Sequence, residues 1–247
     1  MAGWIEFGAG LLTVALLTFG LTRWAGVGVG WLPLVALARA AVQLAVVAAL
    51  LRGVLSAPAS VVAFLALMLT TASWTAGRRT RGLWHGRRIA VVGVLTGSAV
   101  AVGVVLVLRL AQTDVRHLVA ISGIVIGGAM SAATLAGRHF LHSSALRRDE
   151  VEGWLALGAT SPQAHLDIGR VAVHESVLPN LDQTKSTGLV TLPGAFVGAL
   201  FGGASPVDAA RFQLVVLAAL GLAMTVTAVI VTRLAARTPY VVAERAP

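Results

Sequence analysis

The chain has 247 residues, of which 57% are hydrophobic and only 12% charged. Soluble domains carry about 25% charged residues, so the polar surface of a cytosolic globular enzyme is missing. The formal charge of +9 comes from 18 Arg and one Lys against 10 acidic residues. It falls in short clusters between apolar runs, as in the cytoplasmic loops of membrane proteins, and not along the continuous basic face of a nucleic-acid binder. The sequence has no Cys, which excludes disulfides, thiolate metal sites and a Cys nucleophile.

A bilayer core requires about 20 apolar residues per helix. In chain order, Gly3–Leu21, Trp31–Leu51, Pro58–Trp74, Ile89–Leu108, Leu118–Ala136, Leu178–Gly202 and Ala209–Leu234 meet that requirement. The first lacks a basic n-region and an A-x-A-like cleavage site, so it reads as a retained span and not a signal peptide. Arg39 lies near the start of the second, within snorkelling reach of an interface; alternatively Val27–Leu37, with Pro33, forms an interfacial elbow before a shorter span. The sixth contains Asn180, Asp182, Gln183 and Lys185, so it must face protein or water. Trp4, Trp24, Trp31 and Trp74 mark membrane interfaces.

Arginines set the orientation. Gly77–Arg88 holds Arg78, Arg79, Arg81, Arg87 and Arg88, the strongest cytoplasmic marker. Arg138, Arg147, Arg148 and Arg170 follow in the segment after the fifth span, and Arg237 and Arg245 in the tail, whereas the alternate connections hold only Arg52, Arg109 and Arg116. The expected fold is therefore an all-α integral membrane protein of about seven transmembrane helices. Its N-terminus lies outside and its C-terminus in the cytoplasm. Residues 1–247 form a single membrane domain in the cell membrane, and residues 137–177 a cytoplasmic segment within it.

In that segment Asp149–Leu157 reads as a short helix whose acidic first turn suits the positive end of the dipole. Val151, Trp154, Leu155 and Gly158 follow i, i+3, i+4, i+7 spacing, and Gly158 suits a C′ position. Ser161-Pro162 resembles an N-cap with proline at the first helical position, opening a second helix towards Val177. The apolar face either packs on the chain's own membrane domain or inserts into a partner's groove.

These residues carry a family resemblance. Glu152-Gly-Trp-Leu-Ala-Leu-Gly158-Ala-Thr-Ser-Pro-Gln-Ala164 resembles the cytoplasmic loop by which ABC-transporter permeases dock on their ATPase subunit. Leu178-Pro-Asn-Leu-Asp-Gln-Thr-Lys-Ser-Thr-Gly-Leu-Val-Thr-Leu-Pro-Gly194, Arg39-Ala-Ala-Val-Gln43, Gly123-Ile-Val-Ile-Gly127 with Met130, and Arg211-Phe-Gln213 are similar to FetB-type permeases, the membrane subunits of iron exporters. Two positions depart from that family's pattern: Gly128, where it has Asn, and Ala195-Phe-Val-Gly-Ala199, where it has a Met-Met-x-Gly-Gln run. The resemblance implies a permease subunit exporting a metal or metal-related substrate, assembled as a homodimer in the lipid bilayer with a separate ATPase that binds ATP and Mg. On this reading Val151, Glu152, Trp154, Leu155 and Gly158 couple to the ATPase. Arg39, Gln43, Asn180, Asp182, Gln183, Lys185, Thr187, Pro193 and Gly194 line the pathway.

The chain carries no phosphate-loop motif, no Ser-His-Asp arrangement and no H-E-x-x-H. It is therefore read as no enzyme, with no cofactor of its own and no nucleic-acid partner. An ATP-independent channel or carrier and a structural membrane protein are the alternative readings. His139 and His142, like Asp114 and His117, stand three apart, which supplies at most half a metal site. Asp182 with Lys185, and Asp208 with Arg211, have ion-pair spacing. Gly123…Gly127 and Gly198…Gly202 have the small-xxx-small spacing of close helix packing. Leu192-Pro193-Gly194 is expected to hinge or break the sixth span.

Overall fold

A computed structural model describes residues 2–54, 58–111 and 114–239; the expectations for Trp4, Arg52 and Arg245 concern side chains outside that description. The protein is all-helical: α1 (Ala2–Trp24), α2 (Leu32–Val54), α3 (Pro58–Arg79), α4 (Gly86–Val107), α5 (Val115–Leu146), α6 (Arg148–Ala156), α7 (Ser161–Ala164), α8 (Leu166–Ser186), α9 (Gly194–Phe201) and α10 (Pro206–Ala235). Among the described residues, six helices (α1 to α5 and α10) are long and apolar enough to cross a membrane.

The chain divides into two compact units, Met1–Ser60 and Val61–Pro247. In the first, α1 and α2 are joined by a turn in which Gly26 and Gly30 adopt φ of +66° and +51°, a region that glycine enters freely. Phe19 stacks on Trp31 across this turn, with ring centroids 4.7 Å apart. Val27–Trp31 belongs to the turn and α2 starts at Leu32, so the interfacial elbow is not formed. Pro33 is the second residue of α2, where its missing N–H has no intrahelical partner to lose. Side chains around both helices are exposed within the chain and mostly apolar, as suits lipid or another membrane subunit.

In the second unit α10 is central, packed against α4, α5, α8 and α9. Small residues make this possible. Ala90, Ala129, Ala132, Ala133, Ala136, Ala172 and Ala228 are fully buried in one half of the core, and Ala101, Val125, Val216 and Ala223 in the other. Membrane helices associate through such close backbone approach, since apolar burial gains nothing over lipid. A Cβ at Gly97 would lie 2.0 Å from Thr227 Oγ1 and 2.8 Å from the Ala223 carbonyl oxygen. Nearby, the buried Thr227 hydroxyl donates to the Gly93 carbonyl at 3.1 Å. Gly128 leaves room for Leu220, whose Cδ1 would stand 2.1 Å from an added Cβ. At the two small-xxx-small pairs, a Cβ added at Gly123 would stand 3.3 Å from Met68 Cε, whereas one at Gly127 or Gly198 would enter open space and one at Gly202 would meet only the Gly198 and Ala199 carbonyls.

The arginine-rich connection is a tight turn, not a loose loop. A Cβ at Gly86 would stand 1.9 Å from the Thr80 carbonyl oxygen, and the buried Thr80 hydroxyl is shared between the Ala76 and Gly86 carbonyls at 3.0 and 3.1 Å. The Arg87 guanidinium lies over the Trp74 ring, 5.4 Å from its centroid, and fixes a cation beside an aromatic at this end of the bundle.

The predicted sixth span, Leu178–Gly202, is not one helix. α8 begins earlier, at Leu166, and ends at Ser186; a self-bonded turn over 187–193 separates it from α9. Thr187 is extended, Gly188 takes φ of +96°, and the Gly188 N–H donates to the Thr191 carbonyl at 2.8 Å. Pro193 caps α9, so the break starts six residues before the proline expected to cause it. α9 is held to the core by Gln213 of α10, whose buried Oε1 accepts from the Phe196 N–H at 3.1 Å.

Because the Ala223 carbonyl cannot rotate away as a side chain can, Gly97→Val must push α4 off α10 and should destabilise the fold by about 1–3 kcal/mol. Thermal unfolding in detergent measures it. Gly103→Val, at a position with open space, should leave the unfolding temperature close to wild type.

Candidate functional site

At 1.5 Å per residue, the 32 residues of α5 extend about 48 Å, well beyond a hydrocarbon core of about 30 Å. α6 follows directly at its C-terminal end. α6 occupies the predicted place, and its C-terminus forms a Schellman motif: Gly158, at φ +89°, donates its N–H to the Leu155 carbonyl, and Ala159 donates to the Trp154 carbonyl, both at 3.0 Å.

The predicted apolar face divides in two. Val151 is 1% exposed and sits in the core with Leu155 packed beside it, so it seats α6 on its own domain and is not available to a partner. Trp154 is 51% exposed and Leu157 82%, and with Gly158 they present the outward surface. Leu157 is absent from the i, i+3, i+4, i+7 series that starts at Val151, yet it lies one turn beyond Trp154. Taking the series from Trp154 alone finds it. One side of this helix therefore packs on the chain's own membrane domain and the other is open.

Electrostatics holds α6 in place. The Arg147 guanidinium donates to both Glu150 carboxylate oxygens at 2.7 Å and to Asp167 Oδ2 at 3.0 Å, tying the start of α6 to the first turn of α8. These bonds raise the Arg147 pKa, and Arg147 in turn holds the Glu150 carboxyl below its ordinary value. A depressed carboxylate contributes its stability above the unfolded pKa and loses it as pH falls through the folded one, so the tie is complete at neutral pH. Glu152 pairs with Arg148 at 2.6 Å. A groove of about 710 Å³ runs beside the open face, lined by Trp154, Leu157, Gly158, Gln163, Leu166 and Arg170.

The next helix begins one residue earlier than predicted. Thr160, not Ser161, is the N-cap, and Gln163 Oε1 accepts from the Thr160 N–H and hydroxyl, both at 2.8 Å. Ser161 is claimed by a tertiary contact, its hydroxyl facing the Ala236 and Thr238 carbonyls at 2.9 and 2.8 Å beyond α10. The chain bends at His165 and continues as α8.

α8 carries the predicted polar residues to its far end. Asn180 is buried, while Gln183 is exposed and Thr187 half-buried; the Asp182–Lys185 pair is formed at 3.0 Å with both side chains exposed. Thr184 Oγ1 donates to the Asn180 carbonyl at 2.8 Å, and Ser186 and Thr187 donate to the Gln183 carbonyl at 3.0 and 2.9 Å. The hydroxyls thus serve carbonyls at a helix end weakened by Pro179 and Gly188. Pro193 and Gly194 open α9 on the other side of the turn. At its tip Leu189 is 100% exposed. Arg39 and Gln43 lie in the first unit, exposed and one turn apart on α2.

Other predicted groups do not converge. No three His, Asp or Glu side chains among the described residues are placed to hold a metal ion. His117 bonds to Asp114 and sets its ring edge-on to Phe212 at 5.2 Å. Asp208 is occupied by Ser205, the N-cap of α10, whose hydroxyl donates to it at 2.6 Å; the expected pair with Arg211 is not formed.

No solved structure gives a significant match to this chain. Among curated proteins, it is 33% identical over 239 residues to the "UPF0014 membrane protein STAR2" of Oryza sativa subsp. japonica, covering 94% of this chain and 84% of that one. It is 34% identical over 167 residues to the "Protein ALUMINUM SENSITIVE 3" of Arabidopsis thaliana, covering 68% and 61%. It is 27% identical over 180 residues to the "Probable iron export permease protein FetB" of Escherichia coli (strain K12), covering 72% and 70%. The model of "Uncharacterised protein family (UPF0014)" matches residues 4–240, and with its apolar helices the chain is a multi-pass membrane protein that belongs to this family.

Proposed function

We propose that the chain is the transmembrane permease subunit of an ABC transporter that exports a metal ion or metal-related substrate. A separate ATPase binds ATP and Mg and drives it. The observation that carries this reading is α6. An apolar pair, Trp154 and Leu157, is held out on a helix whose opposite side is anchored by Val151 and the Arg147 bridge. A helix kept only for packing has no use for an exposed Trp–Leu pair beyond the membrane, whereas a helix laid in a partner's groove requires one. The metal-related substrate and the export direction rest on the printed name of the Escherichia coli relative.

In this mechanism two copies of the chain form the membrane part, with two ATPase subunits below them. Closure of the ATPases on ATP moves α6. Its movement enters the core through Val151 and Leu155 and reaches α8 through Arg147 and Asp167. α8, about 31 Å long at 1.5 Å per residue, is the rod that delivers this movement to the polar break at 182–194. There Asn180, Gln183, the Asp182–Lys185 pair and Thr187 offer the polar groups that a charged substrate needs at membrane depth, and the resemblance assigns Arg39 and Gln43 of α2 to the pathway as well. The arginine distribution supports this reading, since it favours the cytoplasmic side for α6, where an ATPase would dock.

Co-purification of an untagged ATPase with the tagged chain tests the coupling half. Trp154→Asp together with Leu157→Asp should weaken association by about 2 kcal/mol or more while membrane insertion stays normal. Retention of wild-type association after both changes would remove α6 as the contact. Transport into proteoliposomes tests the other half. Lys185→Met should abolish substrate-stimulated ATP hydrolysis with docking intact, and Pro193→Ala should slow transport without altering assembly. Wild-type transport by both variants would move the pathway elsewhere.

A further inference from the structure

A second cleft, of about 590 Å³, opens between α8 and the C-terminal end of α10. Three cations line it: Arg170 on α8, and Arg233 and Arg237 at the end of α10. Among the described residues no carboxylate lines it, and none of the three arginines forms an ion pair. The floor is apolar, with Val173 and Val229 one turn deeper into the bundle than Arg170 and Arg233.

The usual duties of cations at a helix C-terminus do not account for this cluster. Lys and Arg there commonly satisfy the last carbonyls, but the Ala236 and Thr238 carbonyls already face the Ser161 hydroxyl at 2.9 and 2.8 Å. His165, which also lines the cleft, is 1% exposed and directs Nδ1 to the Ser161 carbonyl at 2.8 Å; its buried Nε2 is without a partner. The cleft thus joins unpaired positive charge at the membrane surface to an apolar wall running inward. An anionic head on an apolar tail complements both parts, and a soluble anion complements only one.

We infer that this cleft is a binding site for an anionic phospholipid of the cytoplasmic leaflet. Its phosphate lies among Arg170, Arg233 and Arg237, and an acyl chain lies along Val173 and Val229. Basic pockets between helices on the cytoplasmic side have the chemistry to recognise such headgroups. A lipid seated here bridges α8 to α10 next to α7. The site stands independently of the transport reading.

Native mass spectrometry of the detergent-purified chain tests it, titrating in phosphatidylglycerol or phosphatidylcholine with the same acyl chains. The wild type should retain phosphatidylglycerol preferentially, and Arg233→Gln with Arg237→Gln should reduce that preference about 30-fold. Arg233→Lys with Arg237→Lys keeps the charge and should keep most of the preference, which separates loss of the site from misfolding. Equal retention of the two lipids by the wild type overturns the proposal, as does undiminished preference in the Gln variant. Displacement of the lipid by inorganic phosphate at equal concentration would also overturn it, by showing a soluble-anion site in place of a lipid site.

Discussion

Everything in the second unit depends on how closely α10 approaches α4 and α5. Apolar side chains gain little by leaving lipid for protein, so the bundle is held by backbone proximity, and proximity requires Gly and Ala where the helices cross. Gly93 and Gly97 admit the Thr227 hydroxyl to the α4 backbone, and Gly128 admits Leu220. A bundle joined this way is stiff in its middle, because each contact is short and leaves little room for sliding. Movement must then occur at its margins, in elements fixed to it at few points.

α8 is seated in the core through Ile168, Ala172, Ser176, Val177 and Asn180, and its last turn and a half, after Asn180, lies at such a margin. Near its start, Ile168 and Ala172 are buried in the core and Arg147 bridges to Asp167; at its other end Gly188 reverses the chain into a self-bonded turn. Within the turn the Gly188 N–H bonds the Thr191 carbonyl and the Val190 and Thr191 N–H groups bond the Ser186 carbonyl, and Gln213 satisfies an N–H of the short helix that follows. The polar side chains predicted to line a pathway thus collect beside a break, on a helix that begins against α6. The open face of α6, α8 and the break form one continuous stretch, residues 147–201.

How much of this was legible in the sequence depended on whether a residue's role is local. The five early spans and the last one follow from run length alone. Gly158 was readable as a C′ residue, and Asp182–Lys185 as an i, i+3 pair, because both are settled within one or two turns. Roles set by distant partners were not readable. Ser161 looked like an N-cap but is taken by carbonyls 75 and 77 residues away. Val151 shared a periodic face with Trp154, and only the position of α5 sends the first into the core and leaves the second exposed. Asp208 was placed with Arg211 by spacing, but the Ser205 cap is nearer. The break was assigned to Pro193, the stronger sequence signal, although Gly188 turns the chain first. Among the glycines, Gly97 is tight and stands four residues after Gly93, the same small-xxx-small spacing, whereas Gly86 is tight with no such spacing and a Cβ at Gly198 would meet open space.

The central claim is that α6 and the 187–193 turn move together. Since the chain has no Cys, a single Leu189→Cys substitution at the exposed tip gives one spin label per copy. In a reconstituted transporter, the label-to-label distance distribution between two copies can be compared without nucleotide and with ATP trapped. The account predicts a clear shift on trapping in the otherwise wild-type chain, and no shift when Trp154 is also replaced by Asp. An unchanged distribution on trapping, with the ATPase demonstrably bound and closed, would contradict it.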